Sequence, residues 1–296
     1  MFENTDEQLD PQHDKLPNGA LFTRLALDTP NVKVERLFYD YWKMSEPRLI
    51  ISIIGGAKYF TLSERLESNF INGIIDVALK ADSWLITNGY NVGIVQLVGQ
   101  AINKVKLTRL NEHITAIGVC KWGSVKDVER LVEPEHPGKK SKNANNDDER
   151  RGDGEKKREK GQRDLETNHS HYLMLDDGRY RHYDIKDYRT LLCAHLAKLQ
   201  DENALPIPVV TIVVEGGKDT IANIYYDLRE NIPVVIIDGS GRVADFFKRC
   251  LLYTKDIDET DKYPEAIFEI EEVSLVSPVV TLPIEDPNEK YHQDTK

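Results

Sequence analysis

Cysteine is scarce in this sequence and scattered: Cys120, Cys193 and Cys250. The number is odd and no pair has zinc-ligand spacing. That excludes a disulfide framework and a zinc module, and a reduced, cytosolic setting is expected. Long apolar runs are missing too, since none approaches the ~20 residues of a membrane span. The start, Met1-Phe-Glu-Asn-Thr-Asp6, is acidic and lacks the apolar core of a signal peptide. Positive charge is in deficit, with 39 Lys and Arg against 50 Asp and Glu and a net charge of -11. The isoelectric point of about 5.3 argues against a nucleic-acid partner, because a duplex binder needs a basic footprint. His169 and His171 stand two apart, on one face if the segment is a strand, but no further ligands lie close in sequence. No metal site and no cofactor are expected.

What is present is a repeated strand–turn–helix pattern. Pro233-Val-Val-Ile-Ile-Asp-Gly-Ser-Gly-Arg-Val-Ala-Asp245 shows it most clearly. Val234–Ile237 is a short β-branched run, as expected of a strand buried on both faces. Asp238–Gly241 is a tight turn, and Arg242 opens a helix carrying Val243, Phe246, Phe247 and Leu251. Leu49–Gly56, Trp84–Gly89 and Val209–Gly217 end in glycines in the same way. Further strands are expected at Leu21–Leu27, Ile114–Cys120 and in His169–Gly178. Helices are expected over Val32–Trp42, after Ser63 (with Leu66, Phe70, Ile74, Val77 and Ala78 on one face), Ile94–Ile102, Asp184–Leu199 and Thr220–Leu228. Ile267–Ile270 and Val276–Leu282 fit a turn of helix or an edge strand. Such alternation predicts an α/β fold: a Rossmann-like, doubly wound, mainly parallel sheet. Right-handed crossovers bring the glycine turns to one edge, where ligands bind.

The division of the chain follows composition. Residues 1–17 read as a disordered arm. Residues 18–255 read as one α/β domain, with 134–167 a mobile insertion dense in charge and almost empty of large apolar residues. Residues 256–296 read as an acidic tail or the start of a following region.

Strand ends with glycine turns and helix starts offer backbone N–H groups and positive dipole ends to anions. Gly55, Gly56, Gly216, Gly217, Gly239, Ser240 and Gly241 are the expected phosphate cradle, with a hydroxyl donor from Ser240. Arg242 is the nearest cation. Asp238 is expected to form the turn or accept a ribose hydroxyl. Thr87, Asn88, Gly89, Glu215 and Thr220 complete the candidate site, and the two threonines each offer one hydrogen bond.

Six ordered blocks carry a family resemblance: Ile51-Ser-Ile-Ile-Gly-Gly-Ala-Lys58, Trp84–Gly89, Gly118-Val-Cys-Lys-Trp-Gly123, His169–Gly178, Val214–Ile221 and Asp238–Asp245. Together they resemble the amino-terminal SLOG domain of TRPM cation channels, over about residues 16–252. The resemblance implies a cytoplasmic regulatory domain beneath a calcium-permeable, tetrameric channel, membrane-associated as part of it. It further implies binding of ADP-ribose or a related adenine nucleotide, and contacts with neighbouring subunits. It also implies Arg189 as a phosphate contact, in a helix that fits the family pattern with a one-residue shift. Asn88 stands where the family has glycine, which narrows the approach of a phosphate. No pore is present in this chain. Two alternatives stand beside nucleotide sensing. One is a structural subunit-contact domain without ligand. The other is a nucleotide hydrolase of the related "lonely guy" type, but Ala222 and Asn223 stand where that motif has carboxylates. No enzyme activity is expected.

Overall fold

A computed structural model describes residues 15–57, 60–131, 161–198, 205–254 and 279–282. The expected arm at 1–17 and the insertion at 134–167 lie largely outside these residues, as does most of 256–296.

The strands are β1 (Leu21–Ala26), β2 (Leu49–Gly55), β3 (Ser83–Thr87), β4 (Thr115–Lys121), β5 (His171–Asp176), β6 (Val209–Val214), β7 (Val234–Ile237) and β8 (Val279–Leu282). The helices are α1 (Asn31–Arg36), α2 (Glu64–Lys80), α3 (Ile94–Thr108), α4 (Tyr188–Ala197), α5 (Lys218–Arg229) and α6 (Arg242–Thr254). All eight strands pair in parallel, in the order β1-β5-β4-β3-β2-β6-β7-β8. The expected Rossmann-like sheet is therefore the observed one.

Both faces are covered, which is why the strands read as unbroken apolar runs. Ile50, Trp84, Ile86, Ile117 and Val119 pack on one side with residues of α1 and α4. Ile51, Ile53, Leu85 and Ala116 alternate to the other side, onto α2 and α3. From β2 the chain steps through β3 and β4 to β5. It then returns to place β6 on the other side of β2. The β2/β6 junction is the point where the winding reverses, and two crossovers leave it in opposite directions. In such sheets a crevice opens there at the carboxyl ends of the strands.

Three local expectations are corrected. The helix expected over Val32–Trp42 is α1 followed by a π-type turn over Leu37–Tyr41. The helix expected from Asp184 begins at Tyr188. There the Asp184 carboxylate accepts from Lys186 N at 2.7 Å, and Lys186 takes a left-handed φ of 52°. Val77 faces solvent, and Ile75 takes its place in the core of α2.

Candidate functional site

The β2/β6 crevice is built from two strand ends. β2 ends in Gly55-Gly56 and β6 in Glu215-Gly216-Gly217. A Cβ on Gly55 would lie 1.9 Å from the Val214 carbonyl oxygen, so this pair of strands tolerates no side chain there. Gly93, at the start of α3, packs on the same junction. Its φ is 57° and a Cβ would lie 2.1 Å from the Gly56 carbonyl oxygen, which accepts from Ile94 N. Only glycine meets both demands, although the sequence alone does not single out Gly93.

Most of the expected N–H cradle is already occupied by the protein itself. Gly56 N donates to Val214 O at 2.9 Å. Gly217 N donates to Thr220 Oγ1 at 3.0 Å, and Gly241 N to Asp245 Oδ1 at 3.1 Å. Gly89 N donates to Thr87 Oγ1 at 2.9 Å. The hydroxyl of Ser240 donates to Ile237 O at 2.6 Å and accepts from Glu215 N at 2.8 Å. Ser240 is therefore a structural pin between β6 and β7, not a free donor. Thr220 is likewise a helix cap. Asn88 folds into its own turn, accepting from Tyr90 N at 3.1 Å. Asp238 pairs with Lys248 on α6. Gly239 differs from the rest: a Cβ there would meet nothing, and its φ of 73° serves the turn.

Arg189 does not reach this edge, and its expected role as a phosphate contact is corrected. Its side chain is 4% exposed and spans the buried face beneath β2 and β6. It donates to Ser52 Oγ at 2.6 Å and to both Asp227 carboxylate oxygens at 2.8 Å. A buried guanidinium with a bidentate carboxylate joins α4 to α5, and it has no freedom to leave.

Thr87 is the end of a buried relay. Its Oγ1 lies 2.8 Å from His169 Nε2, and His169 Nδ1 lies 2.7 Å from Glu166 Oε2. The Thr87 hydroxyl, the His169 ring and the Glu166 carboxylate thus form one buried hydrogen-bonded chain. Burial works to raise the Glu166 carboxyl, yet hydrogen bonds from His169 and Asn168 hold it below its usual range. The order of groups is that of a hydrolase triad, but Thr87, His169 and Glu166 are all buried. The relay locks the β3–α3 loop, and Glu166 N also donates to Gly89 O. Among sequence signals only the paired histidines hinted at it; Thr87 and His169 are 82 positions apart.

Among the described residues, Glu215 and Arg242 stand together at the crevice. Glu215 is 6% exposed, takes a φ of 61°, and its Oε2 has no hydrogen-bond partner among the described residues. The carboxylate lies over Gly56, whose Cβ would fall 1.7 Å from Oε2. Arg242 opens α6 with its side chain 53% exposed, and Nη1 stands 3.7 Å from Glu215 Oε2. That is within ion-pair range but beyond hydrogen-bond reach. Burial pushes the Glu215 carboxyl above its usual range, partly offset by Arg242 and by a hydrogen bond from the Gly216 backbone.

Among the described residues no group of His, Cys, Asp and Glu is placed to hold a metal ion. Nor is any described helix long and apolar enough to cross a membrane.

Comparison with known proteins accounts for this architecture. The sequence model of the family described as SLOG in TRPM matches residues 20–281. The transient receptor potential cation channel subfamily M member 2 of Mus musculus is 35% identical over 231 residues. Those residues are 76% of this chain and 15% of that protein. A subfamily M member-like 2 protein of Nematostella vectensis is 32% identical over 232 residues, 76% of this chain and 14% of its own length. Subfamily M member 7 of Homo sapiens is 28% identical over 262 residues, 83% of this chain and 13% of its own. The chain thus corresponds to about one-seventh of the relatives it matches. With a parallel sheet that reverses at β2/β6 and a family match across nearly all of the described residues, this chain belongs to the SLOG-domain family of TRPM channels.

Proposed function

We propose that this chain is a nucleotide-sensing regulatory domain of a TRPM-type channel. Its ligand is ADP-ribose or a related adenine nucleotide, held at the β2/β6 crevice, and occupancy is coupled to gating of a calcium-permeable pore elsewhere in the assembly. The observation that carries this reading is Arg242: an exposed guanidinium at the first residue of α6, beside the crevice where the winding reverses. The positive ends of α5 and α6 add to its field. Much of the backbone is self-satisfied, so the cation and the helix dipoles attract the phosphates more than an N–H nest does.

The domain acts by binding rather than catalysis. Ala222 is exposed, and the Asn223 amide is tied to Asp219 O at 2.8 Å, so neither position supplies a carboxylate. The domain works in a cytoplasmic setting, against neighbouring subunits of the channel. A ligand-free subunit-contact role is the second reading. It is favoured by the internally satisfied glycine turns and by Ile221, Tyr225 and Phe246, which are exposed on α5 and α6.

Calorimetry with ADP-ribose, ATP and NAD at millimolar concentration separates the two. Binding is expected for at least one nucleotide, and Arg242→Gln should weaken it about tenfold, as loss of a charge-assisted phosphate contact does. No heat with any of the three, in protein that remains folded, leaves the subunit-contact role. Incubation with AMP or ADP-ribose should release neither base nor ribose phosphate.

A further inference from the structure

The glycines at the crevice do more than leave room for a ligand; they make room for Glu215. Gly56 lies under its carboxylate, and a Cβ on Gly241 would meet its Cγ at 3.6 Å. Its backbone is held at both ends. Glu215 N donates to Ser240 Oγ, and Glu215 O accepts from Ala244 N at 2.9 Å. The chain thus fixes a carboxylate in a place where a sequence rich in glycine turns suggests only phosphate. Arg242 faces the same opening, with Nη2 packed 3.0 Å from where a Gly217 Cβ would be.

A buried carboxylate oxygen without a donor is a costly arrangement. A backbone hydrogen bond from Gly216 reaches the carboxylate, yet Oε2 is left without a partner among the described residues: the Ser240 hydroxyl hydrogen goes to Ile237, and Arg242 stands too far away. A ligand that brings a donor for Oε2 and negative charge for Arg242 would suit both groups. An anion set directly against Oε2 would be repelled. A sugar hydroxyl next to a phosphate meets both requirements. Asp238 is less suited to this role, because its carboxylate is paired with Lys248.

We infer that Glu215 is the specificity-determining acceptor of the site: its Oε2 takes a ribose hydroxyl while Arg242 takes the adjoining phosphate, so that the crevice selects a ribose-phosphate unit over a bare polyphosphate. This inference rests on the nucleotide-sensing reading above.

The test uses the whole chain, calorimetry at constant pH and salt, and two probes, pyrophosphate and ADP-ribose. Glu215→Gln removes the negative charge and replaces a charged acceptor with a neutral one. It should bind pyrophosphate at least as tightly as wild type and ADP-ribose about tenfold more weakly. Glu215→Asp keeps the charge but withdraws the acceptor from the crevice. It should lose ADP-ribose affinity and leave pyrophosphate unchanged. If both variants bind ADP-ribose as wild type does, Glu215 is not the acceptor, while the nucleotide reading stands. If both variants change the two affinities in parallel, the selectivity is overturned. If wild type binds neither probe nor ATP or NAD, the nucleotide reading falls and the role of Glu215 falls with it.

Discussion

The two halves of the sheet use the same ingredients and finish them differently. On the β3–β4–β5 side, the charged groups Lys121 and Glu166 find partners inside the protein, while His182 Nδ1 has none among the described residues. Lys121, almost wholly buried, meets Asp177 at 2.7 Å and Asp184 O at 3.3 Å. Tyr172 donates to Glu166 O, and Glu166, His169 and Thr87 form a closed relay. On the β2–β6–β7 side, the backbone is equally well satisfied, but the Glu215 carboxylate keeps an unpartnered oxygen and Arg242 points outward. A saturated buried network holds loops in place. An unsaturated one beside a crevice is poised for something from outside. Glycine turns alone do not separate the two cases; the fate of each donor and acceptor does.

The comparison can be broken most forcefully on the saturated side. Asp177→Ala should strand the Lys121 ammonium in the interior, costing about 3 kcal/mol or more, read as a fall in melting temperature or denaturant midpoint. A change within 0.5 kcal/mol would mean that Lys121 finds water or another partner, and that the network is not closed. His169→Leu should come next, at about 2 kcal/mol, because Glu166 and the Thr87 hydroxyl both lose a buried partner. In that variant the amides of the 88–93 loop should exchange faster with deuterated solvent, while those of β7 should not.

Acid should then sharpen the contrast, since the two sides carry shifts of opposite sign. The Glu166 carboxyl is held low in the folded state. Its contribution is present above its unfolded value and is lost as pH falls through the folded one. Glu166→Gln should therefore be less stable than wild type at pH 7, and the gap should close below about pH 4.5. Glu215 is raised, so its favourable contribution is present in acid and fades as pH rises through the folded value. Glu215→Gln should match wild type near pH 4 and exceed it slightly at pH 7, by about 1 kcal/mol. Denaturant curves across that range decide it. A Glu215→Gln variant less stable than wild type at neutral pH would show that the carboxylate is already satisfied. The smallest expected effect is Thr220→Val, about 0.5 kcal/mol, because the Gly217 N–H at the start of α5 loses its cap.

Much of this was legible from residue patterns. The β-branched run Val234–Ile237, its glycine turn and the helix opening at Arg242 follow from short-range preferences, and they fall where they were expected. So do β2, β3 and β6, because strands buried on both faces leave continuous apolar runs. Val276–Leu282 fits either a turn of helix or an edge strand by sequence, and its described part, Val279–Leu282, is a strand beside β7. The failures were long-range. The sequence around Arg189 resembled a phosphate contact, but an arginine's partner is chosen by what the fold brings beneath it, here Asp227, 38 positions away. Ser240 and Thr220 looked like free donors because hydroxyls in glycine turns are suited to ligands. They are equally suited to capping strand and helix ends, and nothing local decides between the two.

The sequence by itself determined the alternation of strands and helices, the places where the chain must turn without a side chain, and the family to which that order of blocks belongs. These depend on local sterics and on periodic burial, which neighbouring residues settle among themselves. Only the tertiary structure decided that β6 lies beside β2, that most of the cradle's N–H groups are spent internally, and that Gly56 is kept clear for Glu215. Each of those depends on which distant groups arrive at the same point, and hydrogen-bond satisfaction can be judged only once they have.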